Sequence, residues 1–273
     1  MSKRIVTGVI LLVLLLPMLL LSATPVLPAV STVLCVIGIW ELGGCCGWQK
    51  RLVMLIPAMA VGVGIQWATR IANDAIEVIA CLSLSLLAFE LFCAVFSKRS
   101  FDTASALSLA GLSLYISFGF ASLVLLRDCE GVTVLPLAFL LPWGCDTMAY
   151  FGGCLFGKHK LIPEVSPKKT VEGAVCGTIG AALIALLYGW VVSLLTELQP
   201  SYLLLAISGV LVSILAQCGD LIMSLVEREH GIKDYGRLFP GHGGVLDRFD
   251  SVLISAPALY FIGYFASEWL FFA

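Results

Sequence analysis

Nine apolar runs of about 20 residues, separated by short polar connections, constrain this chain more than any other feature. They fall at about 5–23, 25–44, 52–69, 76–96, 104–126, 132–153, 173–195, 201–222 and 250–271, and turn-forming or charged residues bound them. A helix crossing the ~30 Å hydrocarbon core of a bilayer needs roughly 20 mostly apolar residues. Every run is therefore long enough to span, and little of the 273-residue chain is left for a soluble domain. Only 12% of the residues are charged, against about 25% in soluble domains. The predicted class is an all-α polytopic membrane protein of about nine transmembrane helices, with residues 1–273 forming a single integral membrane domain. A net charge of -2 offers nothing to a nucleic acid.

The first run follows Lys3 and Arg4 and resembles a signal peptide, but its apolar stretch of about 19 residues exceeds the usual ~7–15. It is expected to remain as a helix. Nine crossings then place all 16 Lys and Arg residues except Arg70 and Arg127 on one side, which the positive-inside rule identifies as the cytoplasm. The N-terminus is expected to be cytoplasmic and the C-terminus extracytoplasmic, in the cell (inner) membrane.

Half of the charged residues lie in two windows, 146–172 and 220–250, and this topology puts both in the cytoplasm. In the first, Asp146 lies about 15 residues into a span that starts outside, roughly 22 Å across the core. An ionisable group at that depth needs a polar cavity, a cation or a partner. Further on, Ser166-Pro167-Lys168-Lys169-Thr170 precedes a new helix at Glu172-Gly173, and helix N-termini present free N–H groups to anions. Lys168 and Lys169 have a plainer reading as markers of the cytoplasmic face. Gly173 and Gly177 form a GxxxG pair, expected to be a helix-packing notch.

In the second window Gln217, Asp220 and Ser224 share one face of the eighth helix at its cytoplasmic end. Beyond them come Arg228, Lys233 and a run in which Gly241, Gly243 and Gly244 surround His242; such glycines permit close backbone approach to a ligand. Asp247 and Asp250 are expected to open the ninth helix, where capping alone would explain two carboxylates. Four carboxylates at one cytoplasmic depth, Asp146, Asp220, Asp247 and Asp250, suit Mg²⁺ instead, since hard oxygen ligands match that ion. Cysteine chemistry is not expected: Cys35, Cys81, Cys93, Cys145, Cys176 and Cys218 sit within apolar runs and read as buried thiols, and Cys45-Cys46 lacks zinc-site spacing.

The run from Ser224 through Arg228, Lys233, Asp234, Pro240, His242, Gly243, Gly244, Asp247 and Arg248 to Asp250 resembles the signature of the phosphatidate cytidylyltransferase, or CDP-diacylglycerol synthase, family. Asp146-Thr-Met-Ala149-Tyr150, Phe156-Gly157-Lys158 and Ser166 through Gly173 resemble the same family, and Trp40-Glu41 is a weaker echo. The similarity is strong in the C-terminal half and mainly one of hydropathy in the N-terminal half. One departure is Glu227, where the family has lysine before the arginine.

The resemblance implies attack of a phosphatidate phosphate oxygen on the α-phosphorus of CTP, giving CDP-diacylglycerol and pyrophosphate in phospholipid biosynthesis. Residues 1–126 would then be the N-terminal helices, and 132–273 the catalytic helices with their two cytoplasmic loops. It assigns Asp220, Asp247, Lys233 and Arg248 to catalysis. Ser166, Lys168, Lys169, Thr170, Ser224, Arg228, His242, Gly243 and Gly244 go to substrate binding, and Asp146, Asp220, Asp247 and Asp250 to Mg²⁺, with a second cation alongside. Such chemistry needs positioning and charge neutralisation. A cleft open to lipid is expected among spans six, eight and nine. Small-residue notches would allow a homodimer. Two other readings are a CTP-dependent polyprenol or phytol kinase, which transfers the γ-phosphoryl, and a transporter using acids such as Asp146 and Glu90; a transporter predicts internal repeats that the sequence lacks.

Overall fold

The computed structural model describes residues 16–72, 74–97, 101–239, 241, 243–266 and 271–272. Within them the apolar runs become helices, because a backbone out of reach of water must satisfy its own N–H and C=O groups. The order is α1 (Val26–Cys45), α2 (Leu52–Ile71), α3 (Ala75–Phe96), α4 (Thr103–Glu130), α5 (Leu137–Phe156), β1 (Lys160–Ile162), β2 (Ser166–Thr170), α6 (Val171–Leu195), α7 (Tyr202–Glu229), α8 (Leu246–Phe249) and α9 (Val252–Phe265). Six of these, α1 to α4, α6 and α7, are long and apolar enough to cross a membrane. In α5 the apolar run is diluted by Pro142, Asp146, Tyr150 and its glycines, and α9 has only 14 residues. Most of the first predicted span, with Lys3 and Arg4, lies outside the described residues, as do His242 and residues 267–270.

The all-α expectation needs correction at one place. Residues 160–170 form an antiparallel hairpin in which Lys160 pairs with Thr170 and Ile162 with Ser166, across an irregularity in register. Pro163 and Glu164 turn the chain between the strands, and cross-strand pairing satisfies backbone groups that no helix absorbs.

The chain divides into two compact units, Met1–Leu125 with Ile232–Arg248 and Leu126–Gly231 with Phe249–Ala273. In the first, buried polar groups tie the helices together. Gln66 of α2 donates from Nε2 to Ser117 O of α4 (2.9 Å) and accepts at Oε1 from Ser31 Oγ of α1 (2.7 Å). Both Ser31 and Gln66 are fully buried, where an amide and a hydroxyl that satisfy each other fix helix register better than apolar contact does. α4 begins beside Asp102, whose side chain accepts from Ser105 N (2.9 Å). That N–H holds the Asp102 carboxyl below the usual carboxylate range.

In the second unit, the seam between α5 and α6 is built from small residues. A Cβ at Gly173 would lie 2.7 Å from Ala149 O, and one at Gly177 would lie 2.9 Å from Cys145 O. The GxxxG pair is thus the packing notch expected, and α5 of the same chain fills it. Across α7, a Cβ at Gly209 would meet Ala182 Cα of α6 at 2.6 Å. The connection from α6 to α7 is short, and Ser201 N donates to Phe271 O (2.9 Å). All ten cysteines are free. Cys35 and Cys145 are buried as expected, whereas Cys81 and Cys218 lie on outward helix faces, since an apolar run in a membrane protein does not distinguish core from lipid-facing surface.

Candidate active site

The second unit carries a cavity of about 450 Å³ between the C-terminal half of α5, the hairpin and the beginning of α6. Asp146 and Tyr150 of α5, Lys168 and Lys169 of β2, the capping residue Thr170 and Gln217 of α7 face it. The lining combines one carboxylate, Asp146, with the cations of Lys160, Lys168 and Lys169 from the hairpin. Its walls come from spans six, seven and eight with the hairpin, and among the described residues the ninth run does not contribute to them.

The approach to α6 is fixed locally. Thr170 is extended (φ −123°, ψ 153°) and its side chain accepts from Gly173 N. Val171 N donates to His159 O (3.0 Å), and Glu172 accepts from Lys158 N (3.1 Å) and His159 N (3.2 Å) while lying 2.6 Å from His159 Nδ1. Two of these bonds, from Val171 N and Gly173 N, occupy N–H groups that a phosphate was expected to find at this helix start. The cationic side chains of Lys168 and Lys169, rather than the helix N-terminus, are what the cavity offers an anion.

Lys169 also reaches across to α7, where its ammonium is paired with Asp220 Oδ2. Both side chains are about three-quarters buried, at 24% and 23% exposure, so each neutralises a charge that would be poorly solvated alone. Gln217, three residues earlier, donates to Thr178 Oγ1 of α6 (3.2 Å). One turn beyond Asp220, Ser224 is half-buried on the same helix. Ser166 lies half-buried at the start of β2. Arg228 Nε donates to Val165 O in the hairpin turn (3.4 Å), and its Nη2 is 3.7 Å from Glu227 Oε2. Glu227 is not in a loop open to solvent: it is 6% exposed on the last turns of α7.

Asp250 does not open the ninth helix. It sits in the break between α8 and α9, and its Oδ1 accepts from Ser251 N (2.7 Å) and Ser251 Oγ (3.2 Å). Its carbonyl oxygen would be 2.9 Å from a Cβ at Gly219, the residue before Asp220, which brings the backbone of this break against α7.

In the first unit, the glycine-rich segment folds around Asp247. Oδ1 accepts from Tyr235 N (3.1 Å), and Oδ2 accepts from Gly244 N (2.5 Å) with Gly236 N at 3.4 Å. Gly243 has φ +82°, a left-handed conformation suited to glycine, and its carbonyl accepts from Phe239 N (2.8 Å). Lys233 is exposed, and Arg248 is half-buried. Glu41 of α1, only a weak echo in sequence, accepts from Val245 N and Leu246 N at 3.0 Å each. An acid inside an otherwise apolar span is the signal that could have found it.

Magnesium is implied by the family resemblance, and the donors of the second unit allow a fit test. Among the described residues, Asp146, Asp220 and Asp250 do not gather as a triplet with oxygens within 4.8 Å of one another. A cage made of protein ligands alone does not fit. A hydrated ion held through one or two carboxylates and substrate phosphates does, and this is how Mg²⁺ is commonly bound.

The profile of the Cytidylyltransferase family matches residues 2–266. The chain is 36% identical over 266 residues to a phosphatidate cytidylyltransferase of Staphylococcus saprophyticus, covering 95% of this chain and 97% of the relative. It is 33% identical over 264 residues to the Staphylococcus haemolyticus protein of the same name, with the same coverage of each chain. To the phosphatidate cytidylyltransferase of Bacillus subtilis it is 39% identical over 165 residues, 60% of this chain and 59% of the relative.

Proposed function

From a chain that belongs to the cytidylyltransferase family, we infer a phosphatidate cytidylyltransferase, which joins CTP and phosphatidate to give CDP-diacylglycerol and pyrophosphate. The observation that carries this reading beyond the family is the cavity bearing Asp146 beside Lys168 and Lys169, with Lys169 linked to Asp220. Such a site is built for anions and a divalent cation. A transporter pathway would not require two adjacent lysines on a strand at its wall.

In the reaction, a phosphate oxygen of phosphatidate attacks the α-phosphorus of CTP; the new O–P bond forms as the bond from that phosphorus to the bridging oxygen of the β-phosphate breaks. Pyrophosphate leaves with the bonding pair. The phosphatidate oxygen is ionised at neutral pH, so the chain need not supply a strong base. Lys168 and Lys169 neutralise phosphate charge and hold the two anions together against their mutual repulsion. Asp146 and Asp220 would hold Mg²⁺, which when bound offsets charge on the phosphates. In the first unit Asp247 is a carboxylate assigned to the reaction, with Gly243 and Arg248 as phosphate contacts and Lys233 as a further cation, while Gly244 acts through its N–H to Asp247 rather than on a phosphate; Asp250, His242, Ser166, Thr170, Ser224 and Arg228 have supporting roles.

Phosphatidate is confined to the bilayer by its acyl chains and CTP is a cytosolic solute, so the reaction belongs at the cytoplasmic interface. The distribution of Lys and Arg supports nine spans with the N-terminus in the cytoplasm. Incubation of the purified protein with phosphatidate, α-labelled CTP and Mg²⁺ tests the function: label should enter the lipid phase, and its failure to do so in every lipid and detergent tried would remove the proposal.

A further inference from the structure

Glu41 is the only Asp, Glu, Lys, Arg or His in the 20-residue helix α1, one turn from its C-terminal end. A charged group in an apolar span persists where it has a specific partner, and here the partner is backbone 204 residues away in sequence. Oε1 accepts from Val245 N and Oε2 from Leu246 N, both at 3.0 Å, and the residue is 7% exposed. The fork of the carboxylate thus grips two successive amides.

The surrounding sequence makes room for that grip. A Cβ on Gly244 or on Gly236 would run into the Glu41 carboxylate. One turn earlier on α1, Gly38 receives the Leu246 side chain, with a Cβ there lying 3.1 Å from Leu246 Cδ2. Gly244 is also the residue whose N–H donates to Asp247 Oδ2 at 2.5 Å. The same three-residue stretch is therefore held from one side by Glu41 and holds Asp247 on the other. Apolar contact at Gly38 would keep the segment near α1 but would tolerate sliding; two directional bonds to one carboxylate fix which amides face it.

We propose that Glu41 is a positioning residue: its carboxylate sets the backbone of residues 244–246 and so the aim of Asp247. The proposal rests on the reading of Asp247 as a carboxylate used in the transfer reaction. Glu41 does not itself meet substrate.

The test uses the full-length protein in detergent–lipid micelles and three variants, Glu41→Gln, Gly244→Ala and Asp247→Asn. Glu41→Gln keeps the shape but turns one acceptor into a donor facing an N–H, whereas Gly244→Ala leaves the carboxylate in place and pushes it off its amides. Amide exchange in a peptide covering 243–247 should accelerate by about tenfold or more in both, with exchange in α6 unchanged. Both should also lower kcat by about 30-fold while moving the KM for CTP and for phosphatidate by less than about threefold, the signature of a misplaced group rather than lost binding. If Glu41→Gln fails to accumulate, Gly244→Ala gives the same two readouts. Unchanged exchange and kcat in the variants alongside an inactive Asp247→Asn would overturn the role of Glu41 and leave the reading of the site standing. A fully active Asp247→Asn would remove that reading, and the positioning role with it.

Discussion

The ammonium of Lys169, at the end of the hairpin, is paired with the carboxylate of Asp220 on α7, 51 residues later in the chain. This pair joins the cation proposed to bind phosphate to the acid proposed to hold Mg²⁺. Removing one partner leaves the other partly buried and uncompensated. Asp220→Asn should lower turnover by at least about a hundredfold, as loss of a group that stabilises transition-state charge does. Lys169→Ala should instead raise the apparent KM for CTP by about tenfold, equivalent to about 1.4 kcal/mol. Steady-state kinetics on purified variants decide the matter, and an unchanged KM in Lys169→Ala would return that lysine to a marker of membrane sidedness.

Glu227→Lys looks innocuous in sequence, because it restores the lysine that the family carries before Arg228. The structure predicts the opposite. Glu227 is 6% exposed and lies 3.7 Å from Arg228, so the exchange would bury a cation beside a cation. A destabilisation on the order of 3 kcal/mol is expected from an uncompensated buried charge, seen as a lower thermal midpoint and poor recovery from the membrane. A variant as stable as the parent would show that this end of α7 opens to solvent.

The seam between α5 and α6 admits no side chain at Gly177, where a Cβ would already stand 2.9 Å from Cys145 O and Cys145 Sγ. Gly177→Val should cost about 1–3 kcal/mol through overpacking and displace Asp146 and Lys169 together, because both face the cavity these helices flank. Size-exclusion profiles and thermal unfolding would show it. Parent-like stability would mean that the two helices separate more readily than their close approach indicates.

Much of this was legible in the sequence, for identifiable reasons. Hydropathy located α1 to α4, α6 and α7 because chain length across a bilayer is fixed by geometry. Asp146, Lys168, Lys169 and Gln217 stand out in the sequence as polar groups in an apolar chain, and the structure brings them to one cavity. The hairpin at 160–170 was missed, since strand pairing depends on which backbone groups lack partners, and that is decided by the helices around it. The burial of Glu227 and the contact of Glu41 with Val245 and Leu246 were equally hidden: both are properties of tertiary placement, and the second joins residues 204 positions apart. The capping of the start of α6 was hidden too, because His159 O, on the far side of the hairpin, joins the Thr170 side chain in meeting its N–H groups.

Sidedness follows from the distribution of Lys and Arg and can be read with a membrane-impermeant thiol reagent. In a background with the native cysteines replaced, Lys160→Cys should label only from the cytoplasmic side and Gln199→Cys only from the other. Labelling of both from one side would mean that the number of crossings between them has been miscounted.

The central claim is the identity of the reaction, and the product ratio tests it most directly. Purified protein given phosphatidate, CTP labelled at the α-phosphorus, and Mg²⁺ should release one pyrophosphate for each labelled CDP-lipid extracted, and chelation of the metal should stop both. Release of CDP with a lipid phosphorylated from the γ-position, or pyrophosphate without a labelled lipid, would contradict it.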